Sequence, residues 1–319
     1  DELAPVADVV TTQSTDEDAL ALEATDAEII LTCYTAITEK VIEAAKNLKG
    51  IVKYGVGTDA IDIEAATQRG VMVINCPDYG SDTVADHAFA LLIALARRIP
   101  VLDRVMQKNA WAWPAAEYLG VDLSGKIIGL VGFGRIGRCM ARRAEGFSMT
   151  RLATDPYVDF AIFDEHGVQS AGLDEMLERS DFVSIHCVLT PETTGLIGEA
   201  ELKRMKDTAF LIDVSRGAII DEGALIRALD ENAIAGAAFD VFADEPLALG
   251  FPLLGRDNVI LTPHALCWTD QCFAGIGAQD LDHVLSIKRG TPPSILVDPN
   301  VVDNPEFKIK LERYKNNFI

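Results

Sequence analysis

Residues 126–155 read KIIGLVGFGRIGRCMARRAEGFSMTRLATD, and the fold follows from this stretch. Lys126 to Val131 is a short apolar run of the length a buried parallel strand needs, and Gly132-Phe133-Gly134-Arg135-Ile136-Gly137 follows at once. A helix is expected next, with Ile136, Met140, Ala144 and Phe147 on one face. A second apolar run then ends on Asp155, eighteen residues past Gly137. Strand, glycine turn, helix and strand-end acid together predict a dinucleotide-binding unit. Gly132 allows the tight turn, Gly134 lets the backbone approach a pyrophosphate, and Gly137 lets helix and strand pack closely. The helix N-terminus aims N–H groups and partial positive charge at that pyrophosphate. Asp155 is placed to accept hydrogen bonds from both ribose hydroxyls, and its charge repels a 2′-phosphate, which favours NAD over NADP. An ordinary glycine-rich connection has no reason to end its second strand on a carboxylate.

At 319 residues the chain suits two domains. Hydrophobic residues at 49% and charged residues at 24% predict a soluble globular protein. The longest apolar stretch, Ala88 to Ala96, is bounded by His87 and Arg97-Arg98 and falls well short of the ~18–20 residues of a membrane span. The start shows no signal-peptide pattern, so no membrane partner and a cytoplasmic location are expected. A formal net charge of −21 repels nucleic acid and anionic lipid. It also repels NAD and carboxylate substrates at long range, so an anion site must be locally basic or built from backbone N–H groups. Cys33, Cys76, Cys139, Cys187, Cys267 and Cys272 lack CxxC spacing and predict neither a disulfide framework nor a metal site.

Short strands and helices alternate through residues 1–75. Strands are expected at Asp8 to Thr12, Ile29 to Thr32, Ile51 to Tyr54 and Val71 to Ile74, with helices such as Ile37 to Leu48 and Ile63 to Arg69 between them. This alternation implies a parallel sheet covered on both faces. Thr83-Val-Ala-Asp86 has capping-box spacing and opens a long helix to about Arg98, apolar nearly all round and placed to join two domains. Pro100 to Asp122 reads as irregular. Its Trp111 and Trp113 leave two readings open, core packing or a dimer arm. Strand and helix alternate again from Lys126 to Pro263. A helix over Gly277 to Arg289, a Pro-rich turn and a short basic helix from Pro305 to Tyr314 close the chain.

In a doubly wound sheet, ligands bind beyond the carboxyl ends of the strands. One strand leads to Arg216-Gly217, the next to Asp244-Glu245-Pro246, and the third to Thr262-Pro263-His264. Three successive strands thus deliver a fixed cation, a carboxylate and a titratable imidazole to one edge, a set suited to carbonyl reduction. His87, His166 and His283 sit in helical or loop contexts and read as structural. His186, after Phe182 to Ile185, borders the cofactor without proton chemistry.

The glycine turn, Asp155, DVSRGAIIDEGALIRAL at 213–229, GAAFDVFADEP at 236–246 and NVILTPH at 258–264 resemble the D-isomer-specific 2-hydroxyacid dehydrogenase family. The resemblance covers nearly the whole chain. It implies an α/β protein with a Rossmann-type NAD-binding domain, residues 96–283, and a flavodoxin-like substrate domain built from both chain ends, residues 1–95 and 284–319. Hinges near 96 and 284 would let the two close, and a homodimer is expected. Arg216 matches the substrate-binding arginine, Glu245 the catalytic glutamate and His264 the acid/base. Gly55-Val56-Gly57 matches the loop whose backbone N–H groups hold the substrate carboxylate, so Val56 and Gly57 are candidate substrate contacts. Arg135 and Ile136 match pyrophosphate contacts, Asp240 the aspartate near the nicotinamide carboxamide, and Thr83 a cofactor contact. Cys187, Val188, Val214 and Ser215 complete the candidate cofactor set, and His264 borders it.

The implied chemistry is hydride transfer between NADH and C2 of a small 2-oxo acid. Arg216 grips the carboxylate and polarises the carbonyl, while His264 donates a proton and Glu245 favours its imidazolium form. The sequence departs from the commoner pattern at several places. Asp213 and Ser215 differ from the usual residues beside the arginine. Ala265-Leu-Cys-Trp268 stands where many members have glycines, so Trp268 is expected to wall the substrate pocket. Pro77 to His87 is similar to the branch of C-terminal-binding proteins, which implies an NAD-sensing interaction scaffold as an alternative to an enzyme. Phosphoglycerate or phosphite oxidation are further alternatives; the first is disfavoured because no extra basic cluster awaits a phosphate. Against the family pattern the chain also lacks the first strand and most of the first helix, so additional N-terminal residues are expected in the functional protein.

Overall fold

The computed structural model describes residues 3–5, 7–12, 14–77 and 79–316; Asp78, within the stretch similar to C-terminal-binding proteins, lies outside them. The chain forms two compact units, residues 1–79 with 269–319, and residues 80–268. These limits differ from the sequence-based boundaries at 95/96 and 283/284, and each difference has a packing cause described below.

The smaller unit opens with α1 (Glu17–Glu23), β1 (Ile29–Thr32), α2 (Glu39–Ala44), β2 (Gly50–Lys53), α3 (Ile63–Gln68) and β3 (Met72–Ile74). Its three strands are parallel in the order β1-β2-β3. Ile51 and Val73 face Leu20, Val41, Ile42 and Ala65 of the three helices. Alternation in a strand sends Val52, Met72 and Ile74 to the opposite face. The strand expected at Asp8–Thr12 does not form. Those residues pair with no strand among the described residues, and Val9 and Val10 are exposed.

The larger unit begins with α4 (Ser81–Ala96) and α5 (Ile99–Asn109), then β4 (Ile127–Val131), α6 (Arg135–Gly146), β5 (Thr150–Thr154), α7 (Phe160–Glu165), β6 (Gln169–Ser170) and α8 (Leu173–Arg179). It continues through β7 (Phe182–Ile185), α9 (Glu199–Arg204), β8 (Phe210–Asp213), α10 (Glu222–Asp230), β9 (Gly236–Phe239) and β10 (Val259–Leu261). All seven strands are parallel, in the order β10-β9-β8-β7-β4-β5-β6. The order reverses at β4, where the glycine turn begins; such switch points are where doubly wound sheets bind ligands. Ile128, Leu130, Phe182, Phe210, Ile212 and Ala238 pack under α4 and α6. Their alternating neighbours Val131, Val183, Ile185, Leu211, Ala237 and Phe239 pack under α8, α9 and α10.

Helix α4 starts two residues before the expected capping box. Gly80, with φ 91°, is its N-cap. Asp86 is engaged by Arg143 of α6 (Nε to Oδ1 2.7 Å), so the predicted Thr83–Asp86 box does not form. The helix buries Val84, Ala88, Phe89, Leu91, Leu92 and Leu95 within the larger unit, which moves the first boundary back to 79/80. The segment after Pro100 is not irregular throughout, because α5 occupies Ile99–Asn109. Proline in a first helical turn removes no intrahelical hydrogen bond. Trp111 and Trp113 are exposed, with ring centroids 6.2 Å apart, so core packing does not describe them.

The chain returns to the smaller unit through α11 (Asp270–Lys288) and α12 (Pro305–Asn316). Helix α11 begins seven residues before the sequence signal suggested, with Thr269 capping it through Cys272 N (3.1 Å). It buries Cys272, Ile276, Val284 and Ile287, and Val284, Ile287 and Phe307 of α12 cover the second face of β2 and β3. Cys76, just past β3, donates to the buried Asp280 (3.1 Å). The second boundary therefore falls at 268/269. Among the described residues no helix is long and apolar enough to cross a membrane.

Phe182 is fully buried on the α4 side of the larger sheet, its ring stacked on Phe210 at 5.5 Å. Phe182→Ala is expected to cost about 3–5 kcal/mol of stability. Denaturant unfolding of the variant measures this, and a loss below about 1 kcal/mol would show that the position is not part of a close-packed core.

Candidate active site

The glycine turn after β4 has the steric features its sequence predicts. Gly132 has φ 93°, and a Cβ there would sit 2.6 Å from Cys187 N, so the turn is both left-handed and pressed against the end of β7. A Cβ at Gly137 would strike Gly132 O, which keeps the first turn of α6 close to β4. A Cβ at Gly134 would meet nothing within 4 Å. The protein's own packing therefore does not demand glycine there, whereas a pyrophosphate laid across the N-terminus of α6 does. Arg135 and Ile136 open that helix, and Asp155 ends the adjacent strand β5.

Asp155 performs a task the sequence did not show. Its Oδ2 accepts Phe133 N (2.8 Å) and its Oδ1 accepts Tyr157 N (3.0 Å), so it braces the glycine turn from within. Each carboxylate oxygen has a second acceptor site, which leaves capacity for ribose hydroxyls. The residues fit a dinucleotide in both steric and hydrogen-bonding terms.

The other half of the site lies at the carboxyl ends of β8, β9 and β10, which are neighbours in the sheet. Ser215 N donates to Asp213 Oδ1 (2.7 Å) and Ser215 Oγ to Ile185 O (2.7 Å), tying the ends of β7 and β8 together. Arg216 folds back to donate from Nη1 to Ser215 O (2.6 Å). Burial pushes the Asp213 carboxyl up to about 7, against the hydrogen bond from Ser215 and the charge of Arg216. Gly217 packs on the backbone of Phe242 and Ala243, in contact too close for any Cβ. This contact draws the arginine turn toward the loop that carries Glu245.

Glu245 accepts Phe242 N on Oε1 (2.9 Å) and His264 Nδ1 on Oε2 (2.7 Å). Burial pushes its carboxyl upward, but the bonds from His264 and Phe242 and the charges of His264 and Arg216 outweigh it, leaving the net shift downward. It is therefore ionised at neutral pH. With a depressed folded value, its stabilising contribution is complete above the ordinary carboxylate range and is lost as pH falls through that value. The Glu245 bond fixes the proton on Nδ1 and sets Nε2, across the ring, as the atom that can exchange a proton.

The structure thus gathers Arg216, Glu245 and His264, and it gathers Gly132, Gly134, Arg135, Ile136, Gly137 and Asp155 at the glycine turn of the same unit. Cys187 and Val188 follow β7, Val214 and Ser215 follow β8, and Thr83 lies in the first turn of α4. Burial pushes the Cys187 thiol up to about 12. His186 bonds Ser184 Oγ (2.9 Å), and desolvation pushes it down to about 3, so it stays neutral. Trp268 is exposed at the end of the same unit. Val56 and Gly57 belong to the smaller unit, where Val56 O accepts Asn75 Nδ2 (2.6 Å). Two features were not legible beforehand: His87, read as structural, bonds Thr262 Oγ1 (3.1 Å), and Asp240 accepts the Thr262 hydroxyl before His264 and Ala265 N and Leu266 N after it.

Residues 89–265 match the family described as D-isomer specific 2-hydroxyacid dehydrogenase, NAD binding domain. A glyoxylate reductase of Korarchaeum cryptofilum is 42% identical over 304 residues, covering 95% of this chain and 89% of the relative. A D-3-phosphoglycerate dehydrogenase of Archaeoglobus fulgidus is 37% identical across 89% of this chain, which spans about half (53%) of that protein. The solved D-lactate dehydrogenase of Aquifex aeolicus, complexed with NAD and lactic acid, superposes with a TM-score of 0.79 at 31% identity, covering 85% of each chain.

Replacing Asp155 with Asn removes the charge that opposes a 2′-phosphate and keeps one acceptor for Phe133 N. The variant's preference for NADH over NADPH, from the ratio of Kd values by nicotinamide fluorescence, is expected to fall about tenfold. An unchanged ratio would separate Asp155 from the ribose.

Proposed function

This chain belongs to the D-isomer specific 2-hydroxyacid dehydrogenase family, NAD-dependent oxidoreductases acting on CH–OH groups, and on that premise we propose that it reduces a small 2-oxo acid such as glyoxylate with His264 as proton donor. The observation that carries this reading is the 2.7 Å bond between His264 Nδ1 and Glu245 Oε2, at the strand edge that also holds Arg216. Glyoxylate is preferred because several relatives above 40% identity carry the name glyoxylate reductase, whereas the phosphoglycerate dehydrogenase of Archaeoglobus fulgidus is 37% identical.

Bound NADH supplies the hydride. Arg216 binds the substrate carboxylate through its planar fork of donors and draws electron density from the C2 carbonyl. His264 delivers a proton from Nε2 to the carbonyl oxygen as C2 is reduced, so a C–H and an O–H bond form and the C=O π bond is lost. Glu245 stays ionised and holds the ring in one orientation through its bond to Nδ1. The reverse reaction returns the proton to the same nitrogen. Trp268 is the candidate wall that limits side-chain size, and Val56 and Gly57 of the smaller unit are candidate substrate contacts by resemblance alone.

A homodimer belongs to the same proposal. Ile99, Leu102 and Met106 of α5, with Trp111, Trp113 and Leu119 beyond it, expose apolar side chains over one continuous segment. Such a run is what a partner subunit would cover. A reducing, cytoplasmic setting accompanies it, consistent with all six cysteines standing as free thiols.

Turnover decides the central question. With a panel of 2-oxo acids, NADH oxidation is expected for the wild type. His264→Gln is expected to lose at least about 10³-fold in kcat while NADH binds with unchanged affinity. No turnover with any 2-oxo acid would favour an NAD-sensing scaffold, and unchanged kcat in the variant would remove His264 from the mechanism. For the assembly, light scattering of the wild type is expected to report a dimer and Trp113→Asp a shift toward monomer; a monomeric wild type would end that part of the reading.

A further inference from the structure

Asp240 follows β9, and strand alternation turns its side chain toward α4. It is fully buried, and its acceptor capacity is directed at the segment around His264. Oδ1 accepts Thr262 Oγ1 (2.5 Å) and Ala265 N (2.8 Å), Oδ2 accepts Leu266 N (2.8 Å), and its carbonyl accepts His264 N (2.9 Å). Residues on both sides of His264 are therefore tied to one carboxylate. Between them His264 has φ 51°, a left-handed conformation that a non-glycine residue keeps only where its surroundings over-determine it.

The hydroxyl of Thr262 donates to Asp240, so its lone pairs face outward as acceptors. His87 of α4 meets them, with Nε2 at 3.1 Å from Thr262 Oγ1 and 3.5 Å from Asp240 Oδ1. Because both oxygens accept, Nε2 carries a proton, and the chain of donation runs from His87 to Thr262 to Asp240. Helix α4 is anchored independently by its apolar contacts and by Arg143, which bonds Asp82 O (2.9 Å) and Asp86 Oδ1 (2.7 Å). His87 thus links a fixed helix to the turn that presents the acid.

We infer that His87 is a positioning residue for His264, acting through Thr262 and Asp240. The inference rests on the reading of His264 as proton donor. It also gives Asp240 a second task besides the cofactor contact that resemblance implies, since three of its roughly four carboxylate acceptor sites are already committed within the chain. Loss of the His87 donor frees the Thr262 hydroxyl to reorient, loosens the Asp240 clamp and lets the His264 turn relax away from φ 51°. Displacement of a reacting group by about 1 Å can cost on the order of 10²-fold in rate. Neither substrate nor cofactor touches His87 in this scheme, so binding constants should be largely spared.

The test compares His87→Leu, His87→Gln, Thr262→Val and the double variant His87→Leu/Thr262→Val with wild type and with His264→Gln. Glyoxylate reduction gives kcat and KM, and fluorescence titration gives the NADH Kd. His87→Leu is expected to lower kcat about tenfold while KM and Kd stay within about twofold. His87→Gln, which keeps an N–H donor, is expected to recover most of the rate. Thr262→Val should match His87→Leu, and the double variant should be no slower than Thr262→Val alone, because both act in one chain. Wild-type kcat in folded His87→Leu, equal loss in His87→Gln, or a weakened Kd with unchanged kcat would each overturn the inference. If His87→Leu does not fold, Thr262→Val and His87→Gln carry the same comparison. An active His264→Gln would defeat the proton-donor reading itself, whereas an inactive one beside an unaffected His87→Leu would defeat only the positioning role.

Discussion

The chemistry proposed for this chain depends on one hydrogen bond, His264 Nδ1 to Glu245 Oε2 at 2.7 Å. An ionised carboxylate beside an imidazole fixes the tautomer, and the opposite ring nitrogen is then the candidate proton carrier. The bond is not a local accident. Glu245 is held by Phe242 N, Phe242 and Ala243 are packed on Gly217, and Gly217 follows Arg216. Cation, acid and imidazole are spaced by backbone contacts between adjacent parallel strands, so the sheet itself sets their geometry.

A chain with net charge −21 must still receive anions. Long-range attraction is not available, so the proposed solution is short-range: N–H groups at the start of α6, one oriented arginine after β8, and glycine positions that would let ligand approach backbone. At such distances a few well-aimed dipoles outweigh a diffuse negative field that salt largely screens. Asp155 shows the economy of the arrangement, since the carboxylate proposed to discriminate the ribose also braces the glycine turn through Phe133 N.

Much of this was legible in the sequence because steric necessity leaves marks in residue type. Gly132 and Gly137 are forced by backbone proximity, and Arg216, Glu245 and His264 follow recognisable strand ends. Other features left no mark. The Asp8–Thr12 run has strand composition but pairs with no strand among the described residues, and composition cannot report pairing. Helix α5 was hidden because Pro100 reads as a breaker, although a first-turn proline is tolerated. The capping-box spacing at Thr83 was satisfied in sequence, yet Arg143 claims Asp86 from another helix. The unit boundaries moved for the same reason, since α4 and α11 are placed by which sheet face they cover. His87 looked structural because its partner, Thr262, lies 175 residues away.

The central claim is that this edge of the sheet directs reduction at C2 of a 2-oxo acid. Its most direct test is isotopic. Glyoxylate incubated with the enzyme and NADH deuterated at the transferable C4 position should yield glycolate bearing deuterium at C2, read by mass spectrometry in proportion to NADH oxidised. Glycolate without the label, or NADH oxidation with no glycolate formed, would contradict the account.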